Sequence, residues 1–324
     1  MLNSRDFEDK IVSMRNIDCA KCSSDCILKD ICPTLSSTEK KEVLKKVRDG
    51  IIVVSKGELV EKDDKDEVFV ITVDEKTGKA TVEPDIYEGD EILQSTIFSD
   101  IQEVYLNSNG DAVNSTDDYE HVMMKFPKIH YEIEKDEVNK IITITVSRKP
   151  IGRCLAHTYE DEEYNFVYIG KYLLSKGYKT VSGVQPMVNI SFDDVKKEIK
   201  DSPFKMIRLH QITLLQILYL LRVRELDSQT HLGKGVTNSQ SLVDTGGTND
   251  KGLFYGCDDA TKSVSVAGIE DFYGNCFYYV DGLRTSSTEI IVDEQYKLPF
   301  KSMSGWLTSC VGNTEFGFTP NGVK

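Results

Sequence analysis

Gln211 to Leu226 is apolar on almost every side. Ile212, Leu215, Leu218, Tyr219 and Val223 recur at helical spacing as one stripe, and Leu214, Ile217, Leu220 and Leu221 fill the faces between them. A helix of this kind has no face to offer water, so it must be enclosed. Its most apolar part, Ile212 to Leu221, is about half the length a membrane span needs. Protein must therefore wrap it, and the remaining elements have to be read as its coat.

Most of that coat reads as strands and loops. Ile51 to Val54 is an apolar strand, and Val68 to Val73, a turn over Asp74 to Gly78 and a return at Ala80 to Val82 make a hairpin. Ser95 to Leu106 fits helix and strand equally. Asn107 to Asp118 is polar and marks a candidate boundary. His121 to Ile133 alternates imperfectly around Pro127, which suggests an edge strand or a bulge, and Val138 to Val146 returns. Tyr164 to Tyr172 alternates as a strand. Ser191, with Asp194 three residues on, caps a short helix to Lys200.

Beyond Asp227 the chain is rich in Gly, Ser, Thr and Asn, and long irregular loops of this kind usually carry function. Thr245 to Asp250 (TGGTND) is Gly-rich, but it lacks the lysine-serine pair and following helix of a phosphate-binding loop. Gly268 to Gly282 reads as a tight turn followed by a short aromatic strand. Asn275, Phe277, Tyr279 and Asp281 would share one side, and Cys276, Tyr278 and Val280 the other, with both sides covered.

The net charge of −14 repels nucleic acid and anionic membrane surfaces, so neither is an expected partner, and no membrane insertion is expected. The first residues lack the basic start and apolar core of a secretory signal, which points to synthesis in a reducing cytoplasm. There, cysteines serve as free thiols or metal ligands. Cys19, Cys22, Cys26 and Cys32 fall within fourteen residues, between a helix carrying Phe7, Ile11 and Met14 and a second helix from Ser36 to Gly50. Four converging thiolates can enclose one tetrahedral Zn²⁺ or hold an iron–sulfur cluster. Two short helices with small apolar faces need such a staple, so a structural zinc is the favoured reading and a cluster the alternative. His121 and His130 are lone histidines and are read as surface or core residues.

Five segments then line up in order. They are Met124 to Tyr131; Tyr168 to Tyr172 with Val181 to Val184; the helix Thr213 to Leu221; His231 to Gly235 with Thr245 to Thr248; and Gly268 to Asn275 with Val280 to Gly282. Together they resemble a family of phage tail and prophage proteins from Gram-positive hosts. Those proteins carry a C-type-lectin-like domain related to the formylglycine-generating enzyme fold. The resemblance covers roughly residues 120–320.

The chain is expected to be α+β in three parts. Read from the residues alone, the first two are a helical, cysteine-rich, metal-binding attachment segment (1–50) and a small β-rich domain or linker (51–118). The resemblance implies that the third is a C-type-lectin-like domain (119–324). It makes Gly274, Asn275, Phe277, Tyr279, Asp281 and Gly282 markers of the fold, with Phe277 and Tyr279 standing where the family has two tryptophans. It implies a structural component of a tail, baseplate or fibre, located in the virion and assembled in the host cytoplasm. Other tail proteins, a host receptor or glycan, and further copies of the chain in a homo-oligomer are the implied partners. Tyr255, Phe272, Tyr273 and Trp306 would suit a recognition surface.

The enzyme relatives use paired cysteines, and this chain has Cys310 alone near its end. Calcium-dependent sugar binding needs a final oxygen ligand that Gln185-Pro186-Met187 lacks. The expectation is therefore a non-enzymatic protein with no catalytic residues. A cysteine-dependent enzyme of the formylglycine-generating type and an iron–sulfur or redox sensor are the alternatives.

Overall fold

In a computed structural model of the protein, side chains are described for residues 68–282 apart from 86, 88, 153, 160, 161, 240 and 277. The backbone is also described for 283–285 and for short strands at 52–55, 58–61, 289–292, 303–304, 311–313 and 317–319. The chain divides into two compact units, Met1–Lys65 and Asp66–Lys324. The first contributes one antiparallel hairpin, β1 (Ile52–Ser55) with β2 (Glu58–Glu61). Its expected helices and the cysteine segment lie outside the described residues.

The second unit opens with the hairpin β3 (Val68–Asp74) and β4 (Ala80–Glu83). A single-turn helix α1 (Thr96–Ser99) precedes β5 (Gln102–Leu106), so the ambiguous segment is helix in its first half and strand in its second. After β6 (Ala112–Val113) come β7 (His121–Pro127), β8 (His130–Asp136) and β9 (Ile141–Ser147). Two short strands, β10 (Thr158–Tyr159) and β11 (Glu162–Glu163), pair ahead of β12 (Phe166–Gly170). Three helices come next: α2 (Phe192–Glu198), α3 (Leu209–Val223) and α4 (Ser228–Leu232). The last described pieces are hairpins: β13 (Ser265–Val266) with β14 (Ile269–Glu270), β15 (Leu283–Thr285) with β16 (Glu289–Val292) and β17 (Met303–Ser304), and β18 (Val311–Asn313) with β19 (Gly317–Thr319). The chain is α+β, as expected.

Two four-stranded antiparallel sheets frame the core, in the orders β4-β3-β9-β8 and β12-β7-β5-β6. In the first, the register sets Phe69, Val146 and Tyr131 in one row, Val82, Ile71, Ile144 and Ile133 in the next, and Ala80, Val73 and Ile142 in a third. These rows lie on one face because side chains two apart on a strand point the same way. The second sheet adds Met124, Phe126 and Ile169, and α3 fills the space with Leu214, Leu215, Ile217 and Leu218.

Burying each such side chain is worth about 1.5–3 kcal/mol, which is why a helix without a polar face is tolerated here. Both its ends are tied down. Gln211 Oε1 accepts from Arg208 N at the start, and Leu209 N donates to Asp281 O. At the end, Arg224 turns left-handed (φ 61°) and its carbonyl accepts from Ala80 N of the β3–β4 hairpin.

Two expectations are corrected. Residues 68–118 do not form a domain separate from the rest of the second unit, because β3 pairs with β9 along its whole length and β5 pairs with β7. The compact units divide at residue 65 instead. Nor is β7 an edge strand: it lies between β5 and β12. Pro127 is its last residue, where the chain leaves one sheet for the other and a missing N–H costs least.

The cap on α2 is as expected. Ser191 Oγ accepts from Asp194 N at 3.1 Å. Ser191→Ala should cost about 1 kcal/mol, read as a fall of about 2–4 °C in melting temperature.

Candidate functional site: an aromatic groove

Alternation on β7 sends Val122, Met124 and Phe126 to the core and His121, Met123 and Lys125 to the opposite face. The register places Tyr168 beside Lys125 and Gly170 beside Met123, so Phe166, Tyr168 and Gly170 continue that outer face. Residues 187–208, including α2, stand across from it, and His121 stacks on Phe204 with ring centroids 3.9 Å apart. Between them runs an open groove of about 1460 Å³. That exceeds the roughly 300–1,000 Å³ of a small-molecule pocket.

The rings on this groove are exposed. Phe166 keeps 46% and Tyr168 43% of their surface, and Tyr164, Tyr278 and Tyr279 are also exposed. Four of the five are held in place. Lys125 Nζ sits 3.8 Å from the Phe166 ring centroid. Tyr164 and Tyr278 donate their hydroxyls to Glu162 and to Phe272 O. Tyr279 donates to Ile190 O at 2.9 Å and meets Phe192 edge-on.

His157 lines the same groove and is 1% exposed. Arg208 fixes the backbone on both sides of it by donating to Ala156 O and Thr158 O, and the His157 carbonyl accepts from Tyr164 N. Neither ring nitrogen has a hydrogen-bond partner among the described residues. Burial, with the charges of Lys128, His130, Arg148 and Arg208, pushes its pKa down to about 3, so the ring is neutral. Nearby, Lys128 pairs with Glu163 at 2.6 Å. Burial raises the Cys154 thiol, and its hydrogen bond to Glu163 adds to this.

The Gly-rich loop holds an anion from within the chain. Gly246 N donates to Glu270 Oε1, and Thr248 N and Oγ1 donate to Oε2, each at 2.7 Å. Gly246 has φ +102°, and a Cβ there would lie 2.2 Å from Ser182 Oγ. Glycine is required for this approach.

No family model, curated protein or solved structure matches the chain.

The marker segment departs from expectation. Among its described residues, only Ile269–Glu270 is strand, and those that follow are irregular. Asp271 (φ 51°), Gly274 (φ 90°) and Asn275 (φ 60°) turn the backbone left-handed, which an extended strand cannot accommodate. Cys276 is half-buried, and Tyr278 and Tyr279 are exposed rather than covered. Asn275 joins two loops: its Oδ1 accepts from Val243 N, and its Nδ2 donates to Val243 O and Asp271 Oδ2. Asp281 bonds through its backbone to Ile207 and Leu209 at the head of α3, and Gly282 (φ 81°) is buried.

Phe277, Trp306, Cys310 and the four cysteines Cys19, Cys22, Cys26 and Cys32 lie outside the described residues. Among the described residues, no group of three or more His, Cys, Asp or Glu is placed to hold a metal, and no helix is long and apolar enough to cross a membrane. Of the aromatics expected on a recognition surface, Phe272 and Tyr273 are half-buried against the core, and Phe272 also lines the groove.

The groove residues Phe166, Tyr168 and His157 were not singled out by the sequence. The alternation of Tyr164 to Tyr172 was legible, but Val167 and Ile169 make its other face apolar too, so the pattern does not say which side meets water.

Proposed function

We propose that the chain is a structural component of a phage or phage-tail-like particle, and that its second unit is a recognition module whose ligand surface is the aromatic groove. The five ordered segments that resemble tail proteins support the first part. The observation that carries the second is the exposure of Phe166 and Tyr168 on an open groove: a folding core buries such rings, and a binding surface displays them. In this reading the module is C-type-lectin-like, faces a host receptor or glycan, and occurs in several copies, since tail parts obey cyclic symmetry. The first unit attaches it to other tail proteins, with Cys19, Cys22, Cys26 and Cys32 holding a structural zinc.

The cysteine-enzyme reading is less well supported. Burial raises the thiols of Cys154 and Cys276, which disfavours a reactive thiolate at those two positions; Cys310, the candidate nucleophile of that reading, lies outside the described residues.

Gold-labelled antibody against residues 68–282 should decorate the tail of assembled particles. Recovery of the protein only as a soluble monomer, never with particles, overturns the reading. Metal analysis of the full chain should find one zinc per chain. Brown protein with iron and sulfide would replace zinc by a cluster.

A further inference from the structure

We infer that the groove takes an extended, basic segment of a partner protein, laid as a further strand along the free edge of β12. The inference rests on the groove being a recognition surface. Strand β12 ends its sheet, so one side of its backbone has no neighbouring strand. All of its residues, Phe166 to Gly170, line the groove. A strand that offered only a face would contribute alternate residues, so the edge itself meets the groove.

The register fixes which groups that edge presents. Lys171, which continues the register opposite Val122, donates its N–H to Val122 O of β7. Hydrogen bonds alternate along an antiparallel pair, so Val167 and Ile169 also bond to β7, while Phe166, Tyr168 and Gly170 turn their N–H and C=O groups outward. Tyr164 has the outward parity, and it donates to His157 O, not to β7. Among the described residues, Phe166, Tyr168 and Gly170 have no backbone hydrogen bond outside the β7 ladder. A row of peptide donors and acceptors at strand spacing is matched by another extended peptide, whose alternate side chains would cover the exposed Phe166 and Tyr168 rings.

The other edges of the two sheets are guarded. Strand β8 carries Glu132, Glu134, Lys135 and Asp136, and β6 has only Ala112 and Val113. Strand β4 is tied by Ala80 N to Arg224 O and runs into Pro84. Charge, brevity, proline and cover by another segment all keep a free edge from pairing. The sequence of β12, FVYIG, has neither charge nor proline. Charge complementarity then sets the sign of the partner. The net charge of −14 draws a basic segment. Among the described charged side chains on the groove, Glu198 alone has neither an ion pair nor a hydrogen bond. Glu120 pairs with Lys179, Lys205 and Arg208 donate to carbonyls, and Glu270 and Asp271 accept from loop donors. A Lys or Arg of the segment would answer Glu198, on the wall facing β12.

The probe is a random library of short linear peptides panned on the full chain, with the strongest binder synthesised and titrated by calorimetry. Enriched sequences should alternate apolar residues and carry Lys or Arg. N-methylation of alternate amides in that peptide should abolish binding for one set and largely spare it for the other, the signature of strand addition. The amides of Phe166, Tyr168 and Gly170 should exchange more slowly in the complex. Tyr168→Ala should weaken binding about fivefold, and Tyr168→Pro, which also removes an outward N–H, about twentyfold. An edge strand tolerates proline where its N–H faces outward, so that variant should fold; if it does not, the N-methyl pattern and Tyr168→Ala decide. Glu198→Lys should weaken binding about threefold. No enriched peptide, equal tolerance of both N-methylated sets, or unchanged binding by Tyr168→Ala overturns the inference. If a glycan binds the groove and no peptide does, the recognition reading stands and this inference ends. If the protein is absent from particles but binds the peptide as described, the tail reading ends and this one stands.

Discussion

Glu270→Ala should lower the melting temperature of the second unit by about 10 °C. Glu270 is 2% exposed, and its two oxygens take up three donors: Gly246 N, Thr248 N and Thr248 Oγ1. Truncation leaves those donors facing a void. Each buried donor without a partner costs about 1–3 kcal/mol, so the sum is roughly 3–5 kcal/mol once the carboxylate's own burial cost is relieved.

The damage would also spread. The same loop is tied to Val181 and Val184 through Thr245 Oγ1, and Asn249 contacts both Ser182 and Tyr172. Losing the carboxylate therefore loosens one side of the groove. Glu270→Gln is the graded control. It can keep the oxygen facing Thr248 while placing an amide nitrogen against Gly246 N, so it should lose about half as much. Thermal melts read the first effect, and faster hydrogen exchange at the Gly246 and Thr248 amides reads the second. A Glu270→Ala chain melting within about 2 °C of the native protein would show that the loop holds without its anion.

This carboxylate cradle was hidden from the sequence. The TGGT segment has the glycines of an anion-binding loop, and rejecting phosphate for want of a lysine-serine pair leaves the loop without an anion. The anion is a side chain 22–24 residues further on, and no local pattern links the two.

Local signals fared better. Helix α3 was legible because its apolar residues leave no polar face, and the β3–β4 hairpin because two alternating runs flank a turn. The Ser191 cap was legible because cap and recipient are three residues apart.

Gly268 to Gly282 failed for the opposite reason. Its apolar alternation suggested a strand, but Asp271, Gly274 and Asn275 take left-handed backbone, residue types that tolerate it best. Their clustering was the signal that should have outweighed the alternation. The sheet switch at Pro127 was half legible: proline marked the break, but not that β7 is interior. Where a residue's role depends on partners far along the chain, as for Glu270, Arg208 and His157, only the fold reveals it.

Asp271→Asn should stabilise the protein near pH 8 and leave it almost unchanged near pH 4. Asp271 is 1% exposed; Asn275 Nδ2 donates to its Oδ2 at 2.7 Å, and Oδ1 has no hydrogen-bond partner among the described residues. Burial lifts its pKa from 3.8 to about 6, opposed by hydrogen bonds from Asn275 and Ser263 and helped by the neighbouring charge of Glu270. Linkage gives the sign. The folded state holds this proton more tightly than the unfolded chain does. The resulting stability is fully present below the unfolded pKa and is lost as pH rises through about 6.

A shift of this size amounts to on the order of 3 kcal/mol across that window. Asparagine keeps the acceptor for Asn275, tolerates the left-handed backbone at this position and carries no charge to bury. The variant's advantage should therefore grow between pH 4 and pH 7 and then level off. Urea unfolding of both proteins at closely spaced pH values measures that difference directly. An advantage equal at pH 4 and pH 8 would mean that packing, not ionisation, separates them. A variant less stable at pH 8 would mean that the ionised carboxylate finds compensation in the fold beyond the hydrogen bonds from Asn275 and Ser263.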